Sequence, residues 1–221
     1  MTAEPLVGGL RGVVSLRDQA LEVLRQRLVS GELRPGEIYS VTALADELGV
    51  SNSPVREAML DLQHAGLVEA VRNRGFRVVQ LSERERLDVL EVRLMLEVPA
   101  MARLTGDHRL RAEKARFEAI AAEITAAAEA GSMVEFLQAD RRFHLGLLGL
   151  LGNDELVSVV AGLRDRTRLL ADPAAVLRSA QEHVALLEAL AAADPQVSAR
   201  LMREHLQHVR EDWSESPLDA G

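Results

Sequence analysis

Asp140 and His144 stand four residues apart, a spacing that on a helix sets both side chains on one face, close enough to hold a single ion. His183 and His205 fall in two further apolar-periodic segments. Three imidazoles and one carboxylate form a donor set for a first-row divalent cation such as zinc, nickel or manganese. Six histidines in 221 residues would often supply such a grouping by chance, and His208, one turn past His205, competes for the same role. His64 and His108 stand without partners. A second group lies in GVSNSPVREAML, residues 49–60, where Ser51, Asn52, Ser53 and Arg56 open a helix. The first turn of a helix lying in a major groove meets base edges, and its N–H groups favour a phosphate there. Arg56 can fork to a guanine or grip a phosphate, and Asn52 can bond an adenine edge. Equally, Ser53 can cap the helix and Arg56 can pair with a surface acid. Arg72, Arg74 and Arg77 follow on a basic stretch suited to a minor-groove or phosphate contact, although Arg77 fits a solvated strand as well.

The elements that must position these groups are legible from periodicity and punctuation. Residues 1–14 carry Gly8, Gly9 and Gly12, show no period, and read as a flexible arm. Ser15 with Asp18 resembles a capping box, and Leu16, Ala20, Leu24 and Leu28 recur at helical spacing up to Gly31. LRPGEIYS is a turn. A short helix over 41–48 stops at Gly49, and a third follows with Ser53 as N-cap and Pro54 at the first helical position, ending at Gly66. LVEAV and FRVVQL flank Arg72 to Gly75 as a hairpin. Three helices and a β-wing thus occupy 15–80. Over 81–217 all is helical, with breaks near 105–107, 131–132, 152–153, 172–173 and 194–195 that delimit six amphipathic helices. The fold class expected is mainly α: a winged helix-turn-helix followed by an all-α six-helix bundle.

Composition narrows the function classes. Apolar residues make up 48%, aromatics 3%, and there is no cysteine, which excludes disulfide scaffolds, thiolate metal sites and cysteine nucleophiles. The chain carries a net charge of −8, yet residues 1–80 hold nine arginines against ten acidic residues, so the acid sits in the second part. Indiscriminate coating of nucleic acid is excluded, because it needs surplus Lys and Arg. The start of the chain lacks a basic stretch ahead of an apolar one, and no run of about eighteen apolar residues occurs, so a cytoplasmic location and no membrane partner are expected. An enzyme is the rival class. However, the Glu-x-x-His pairs of di-iron bundles, His-Glu-x-x-His, a phosphate loop and Gly-x-Ser-x-Gly are all missing.

The string from Val41 to Leu60 and the following LVEAVRNRGFRVV resemble the winged helix-turn-helix of the GntR family of bacterial transcription regulators. The resemblance implies contacts to double-stranded operator DNA from Thr42, Ser51, Asn52, Ser53, Arg56, Arg72 and Arg74. It departs from the family at Asn52, where arginine is usual. QADRRFHLGLL, SAQEHVALLEAL and ARLMREHL resemble the FCD ligand-binding domain of the FadR branch, and six helices rather than seven are similar to the VanR-like subgroup. That resemblance implies a metal on Asp140, His144, His183 and His205, and demotes His208. It further implies a small carboxylate effector on the ion, clamped by Arg93, with Arg164 in a like role. On spacing alone Arg93 is simply the i, i+4 partner of Glu97. A homodimer on a two-fold operator follows, since one wing reads few bases. The expected function is a DNA-binding regulator, a repressor, controlled by the carboxylate. The alternatives are a sensor of the metal itself and a metal-dependent helical-bundle enzyme.

Overall fold

The computed structural model describes residues 15–167 and 173–214. The expected arm over 1–14 lies outside the described residues. Helix α1 (Leu16–Val29) starts where Ser15 Oγ accepts the backbone N–H of Asp18. Helix α2 (Val41–Leu48) is capped by Ser40 Oγ and ended by Gly49 at φ 66°, a left-handed conformation that suits glycine. Helix α3 (Asn52–His64) follows after one short turn. Leu24, Leu44, Val55, Met59 and Leu62 from these helices meet Val68, Phe76 and Val78 of the sheet in one closed core. The three helices therefore bury one stripe each.

Two details differ from the sequence reading. The N-cap of α3 is Ser51, in extended conformation, so Asn52 and Ser53 are already helical and Pro54 lies further into the first turn than expected. Proline is tolerated there because the first N–H groups of a helix have no intrahelical acceptor. Ser53 Oγ instead donates to Glu57 Oε1 at 3.1 Å. Second, the segment expected as a plain turn contains β1 (Ile38–Tyr39), which pairs antiparallel with β3 (Gly75–Val78), itself paired with β2 (Val68–Val71), in the order β1-β3-β2. Two residues are too short to show alternation. Gly75 makes this possible: at φ 123°, a Cβ would sit 2.1 Å from the Tyr39 carbonyl oxygen.

Beyond the wing, α4 (Glu83–Leu104) begins with a full capping box, Ser82 with Glu85. Then come α5 (His108–Glu129), α6 (Met133–Gly149), α7 (Asp154–Arg166), α8 (Pro173–Ala191) and α9 (Pro195–Ser214). These are six helices among the described residues, broken where the sequence predicted. Helix α4 packs on α7 and α9, and α5 packs on α6 and α8. Met101, Leu104, Phe117, Ile124, Phe143, Leu147, Leu190 and Leu206 fill a second core, separate from the first. Gly75→Ala is expected to cost about 3 kcal/mol or more, through strain and backbone clash, whereas Gly131→Ala, with open space around it, should cost about 1 kcal/mol from φ alone. Urea unfolding of the two variants measures the difference.

Candidate metal centre and DNA-binding surface

Helix α6 presents Asp140 and His144 on its inner face, α8 presents His183 and α9 presents His205. Their ligand atoms lie within 4.8 Å of one another, and all four residues are buried. His144 Nε2 and His183 Nε2 are 3.0 Å apart, and His183 Nε2 is 3.1 Å from Asp140 Oδ1. Such spacings suit neighbouring donors around one ion with bonds of about 2.1 Å.

The imidazoles are held from behind. His183 Nδ1 donates to the Ser179 carbonyl at 2.6 Å, and His205 Nδ1 donates to Glu182 Oε2 at 2.7 Å. Each bond fixes its ring through Nδ1 and turns Nε2 inward, toward the other members of the cluster. Glu182 also accepts from His208 Nδ1, so His208 touches the support and not the cluster. Although burial alone would raise the Glu182 carboxyl, its bonds to the two histidines hold it below the usual range. Burial pushes His144 well below its ordinary value, and lowers His205 despite Glu182. Both rings are therefore neutral near pH 7, as a ligand must be. Phe143 sets its edge against His144 and His183, and Phe117 of α5 meets Phe143 edge to face at 6.1 Å, which closes the floor with apolar surface.

Arg164 links the cluster to α4. Its Nη2 donates to Asp140 Oδ2 at 2.7 Å and its Nη1 donates to Glu97 Oε2 at 2.9 Å. Arg93 Nε donates to Glu97 Oε1 at 2.7 Å and its Nη1 to Thr167 Oγ1 at 3.3 Å. Burial would raise Glu97, but the two guanidiniums outweigh it and keep the carboxylate ionised. The i, i+4 pair of Arg93 and Glu97 thus exists, in the interior rather than on the surface. Two guanidiniums and two carboxylates cancel in charge. Two buried polar atoms remain without a hydrogen bond there: His144 Nδ1 and Arg164 Nε. Unsatisfied buried donors are rare and point to a missing partner. The donor set, the neutral rings and these two atoms fit a divalent ion with an additional small ligand.

Sequence reasoning missed Glu182, Ser179 and Thr167. Glu182 directly precedes His183, but its partner His205 is 23 residues away, so no spacing signalled it.

The other predicted residues lie on the N-terminal domain. Thr42, Ser51, Asn52, Ser53 and Arg56 are exposed along the starts of α2 and α3, and Arg72 and Arg74 are exposed on the hairpin turn. Arg56, Arg72 and Arg74 have no ion-pair partner among the described residues. Arg77 does, donating to Glu69 at 2.7 Å across the wing, which makes it a strand-pair residue.

The description "Bacterial regulatory proteins, gntR family" matches residues 16–78, and "FCD domain" matches residues 88–208, more than half of the chain. The chain is 34% identical over 145 residues to the Nta operon transcriptional regulator of Aminobacter aminovorans, covering 63% of this chain and 66% of that protein. It is 28% identical over 198 residues to a probable D-xylose utilization operon transcriptional repressor of Paenarthrobacter nicotinovorans, covering 87% and 86%. The solved structure of Escherichia coli McbR/YncC has the same fold, with a TM-score of 0.79, 24% identity and coverage of 91% of this chain and 100% of that one. Arg164→Ala is expected to destabilise the protein by about 3–5 kcal/mol, because Glu97 and Asp140 lose their shared cation in the interior. Denaturant midpoints of metal-free protein check this.

Proposed function

This chain belongs to the GntR family of bacterial transcription regulators, in the group that carries an FCD domain, and from that premise we propose that it is a homodimeric, cytoplasmic repressor released from its operator by a small carboxylate bound at a divalent-metal centre. Its relatives are transcription regulators and not enzymes, and the chain is a DNA-binding regulator likewise. The observation that carries the finer reading is the convergence of Asp140, His144, His183 and His205 beside a network whose own charges already cancel. A divalent ion there supplies a Lewis-acid centre with a position open to a carboxylate oxygen. It also leaves the ring positive, even with Glu182 counted, so an anion is the ligand class that restores balance.

The chain's own residues set what that anion meets. Arg164 keeps Nε unpaired next to Asp140, and forked guanidinium geometry suits a carboxylate. Arg93 stands one residue behind, holding Glu97 and Thr167, and orients Arg164 through Glu97. Zinc, nickel and manganese all accept this donor set. Exposed Val92 and Met95 on α4 and Val159 on the adjacent α7 offer an apolar face for a second copy. On the DNA side, Arg56 enters the major groove with Asn52 at the base edges, Thr42, Ser51 and Ser53 bond phosphates, and Arg72 and Arg74 reach the minor groove or its phosphates. No helix among the described residues is long and apolar enough to cross a membrane. The domains divide at 80/81, and the last helix of the bundle is described as far as Ser214.

A DNA site selected from a randomised duplex library provides the operator for the test. Arg56→Ala should weaken binding to it by about 1–3 kcal/mol with folding intact, and a gel-shift affinity within about twofold of wild type removes Arg56 from the interface. Protein purified without chelator should hold about one divalent ion per chain by emission spectrometry. His205→Ala should lose it and His208→Ala should keep it. A screen of small organic acids should find one that raises the melting temperature of metal-loaded protein and releases DNA. Release on metal removal alone assigns the ion itself as the signal; absence of bound metal sinks the reading.

A further inference from the structure

The two helices that carry Asp140 and Arg164 are braced a second time, one residue further along each. Arg164 Nη2 on α7 donates to Asp140 Oδ2 on α6 at 2.7 Å, and Arg141 Nη1 on α6 donates to Asp165 Oδ1 on α7 at 2.9 Å. Successive residues on an α-helix point about 100° apart. The first pair accordingly faces the interior of the bundle, and the second faces outward, toward the N-terminal domain. There Asp165 Oδ2 lies 4.0 Å from Arg25 Nε on α1, at a cleft also lined by Leu28 and Leu67 of that domain and by Leu137 of α6. The next residue, Arg166, runs its side chain past Gly66 at the end of α3, where a Cβ would lie 3.5 Å from Arg166 Cδ. Three consecutive residues of α7 therefore address, in order, the histidine cluster, the first helix of the DNA-binding domain and the end of α3.

One carboxylate is shared unequally. The Asp165 side chain is 9% exposed, holds Arg141 tightly through Oδ1 and reaches Arg25 loosely through Oδ2, while Arg25 Nε is buried and makes no hydrogen bond. A displacement of the last turn of α7 that brought Oδ2 closer to Arg25 would move Asp165 from one guanidinium toward the other. Occupation of the cluster bears on the same turn of α7, because Asp140 offers one oxygen to His183 and the other to Arg164. A cation on Asp140 competes with Arg164 for the same charge. Since 164 and 165 share a backbone, a loosening of the inner pair would bear on the outer one.

We propose that Asp165 is the positioning residue that couples the metal cluster to the DNA-binding domain, by exchanging its carboxylate between Arg141 and Arg25 when Asp140 takes up an ion. The coupling rests on the metal reading above, and the experiment separates the two. Hydrogen exchange of the α1 amides, residues 16–29, is followed by mass spectrometry in the full chain with and without zinc, for wild type, Asp165→Asn and Arg25→Gln. Zinc stoichiometry and affinity are measured in parallel by calorimetry. The expected result is a zinc-induced change in α1 exchange of at least about fivefold in wild type that is absent in both variants, with zinc affinity in all three within about threefold. The Arg25 side chain is 30% exposed, so Arg25→Gln keeps the test decisive should Asp165→Asn fail to fold. Zinc that binds wild type without altering α1, or a response that persists in Arg25→Gln, overturns the coupling. A wild type that takes up no zinc fails at the stoichiometry step, which overturns the metal reading and the coupling with it.

Discussion

Arg164 sits fully inside the bundle between two carboxylates from two other helices, and nearly every other feature of the interior is arranged around that fact. A buried guanidinium is tolerable only when its charge is cancelled and its donors are used. Glu97 and Asp140 cancel it, and Arg93 then becomes necessary because Glu97 carries a second oxygen that needs a donor. The network ties α4, α6 and α7 in one register. Apolar residues of similar volume would pack these helices as stably. The ionic version fixes where Asp140 points, and that is what a ligand site requires.

The histidines show the same economy of purpose. Each of His183 and His205 has its outer nitrogen, Nδ1, occupied by an acceptor from its surroundings, which leaves Nε2 to face the other members of the cluster. Burial does the rest by disfavouring the charged ring at His144 and His205. Phe143 and Phe117 keep water from reaching the cluster through the floor. His144 has no such outer acceptor, since the nearest carboxylate oxygen, on Glu97, is 3.9 Å from Nδ1.

The helix boundaries were legible because caps are local. Ser15 with Asp18, and Gly49 at the end of α2, each act within four residues. The cap of α3 was misplaced by two residues because three consecutive polar residues, Ser51, Asn52 and Ser53, all suit an N-cap and the choice depends on how the helix meets α1 and α2. Strand β1 was invisible for the opposite reason: two residues carry no pattern, and pairing with β3 comes from 37 or more positions away. In the cluster, the donor types were visible in the sequence, but the bridge from Arg164 to Glu97 spans 67 residues and the Glu182 support spans 23, so neither could be found from spacing.

The division of charge between the two parts of the chain sets what the regulator can use for DNA. With a net charge of −8 there is no general attraction to phosphate, so affinity must come from the few cations left unpaired on the N-terminal domain. Arg17, Arg27 and Arg77 are engaged with acids on the same domain. Among the described residues, Arg56, Arg72 and Arg74 are not so engaged, and Asn52 takes a place where family members usually carry another arginine. Each phosphate neutralised contributes about 0.9 to the slope of log affinity against log salt, so a protomer built this way has a shallow salt dependence. Shallow dependence means weak non-specific binding, and a larger share of the affinity then has to come from base contacts. On the reading proposed above, a regulator that holds DNA through so few contacts per wing is also one that a modest change in domain placement would release.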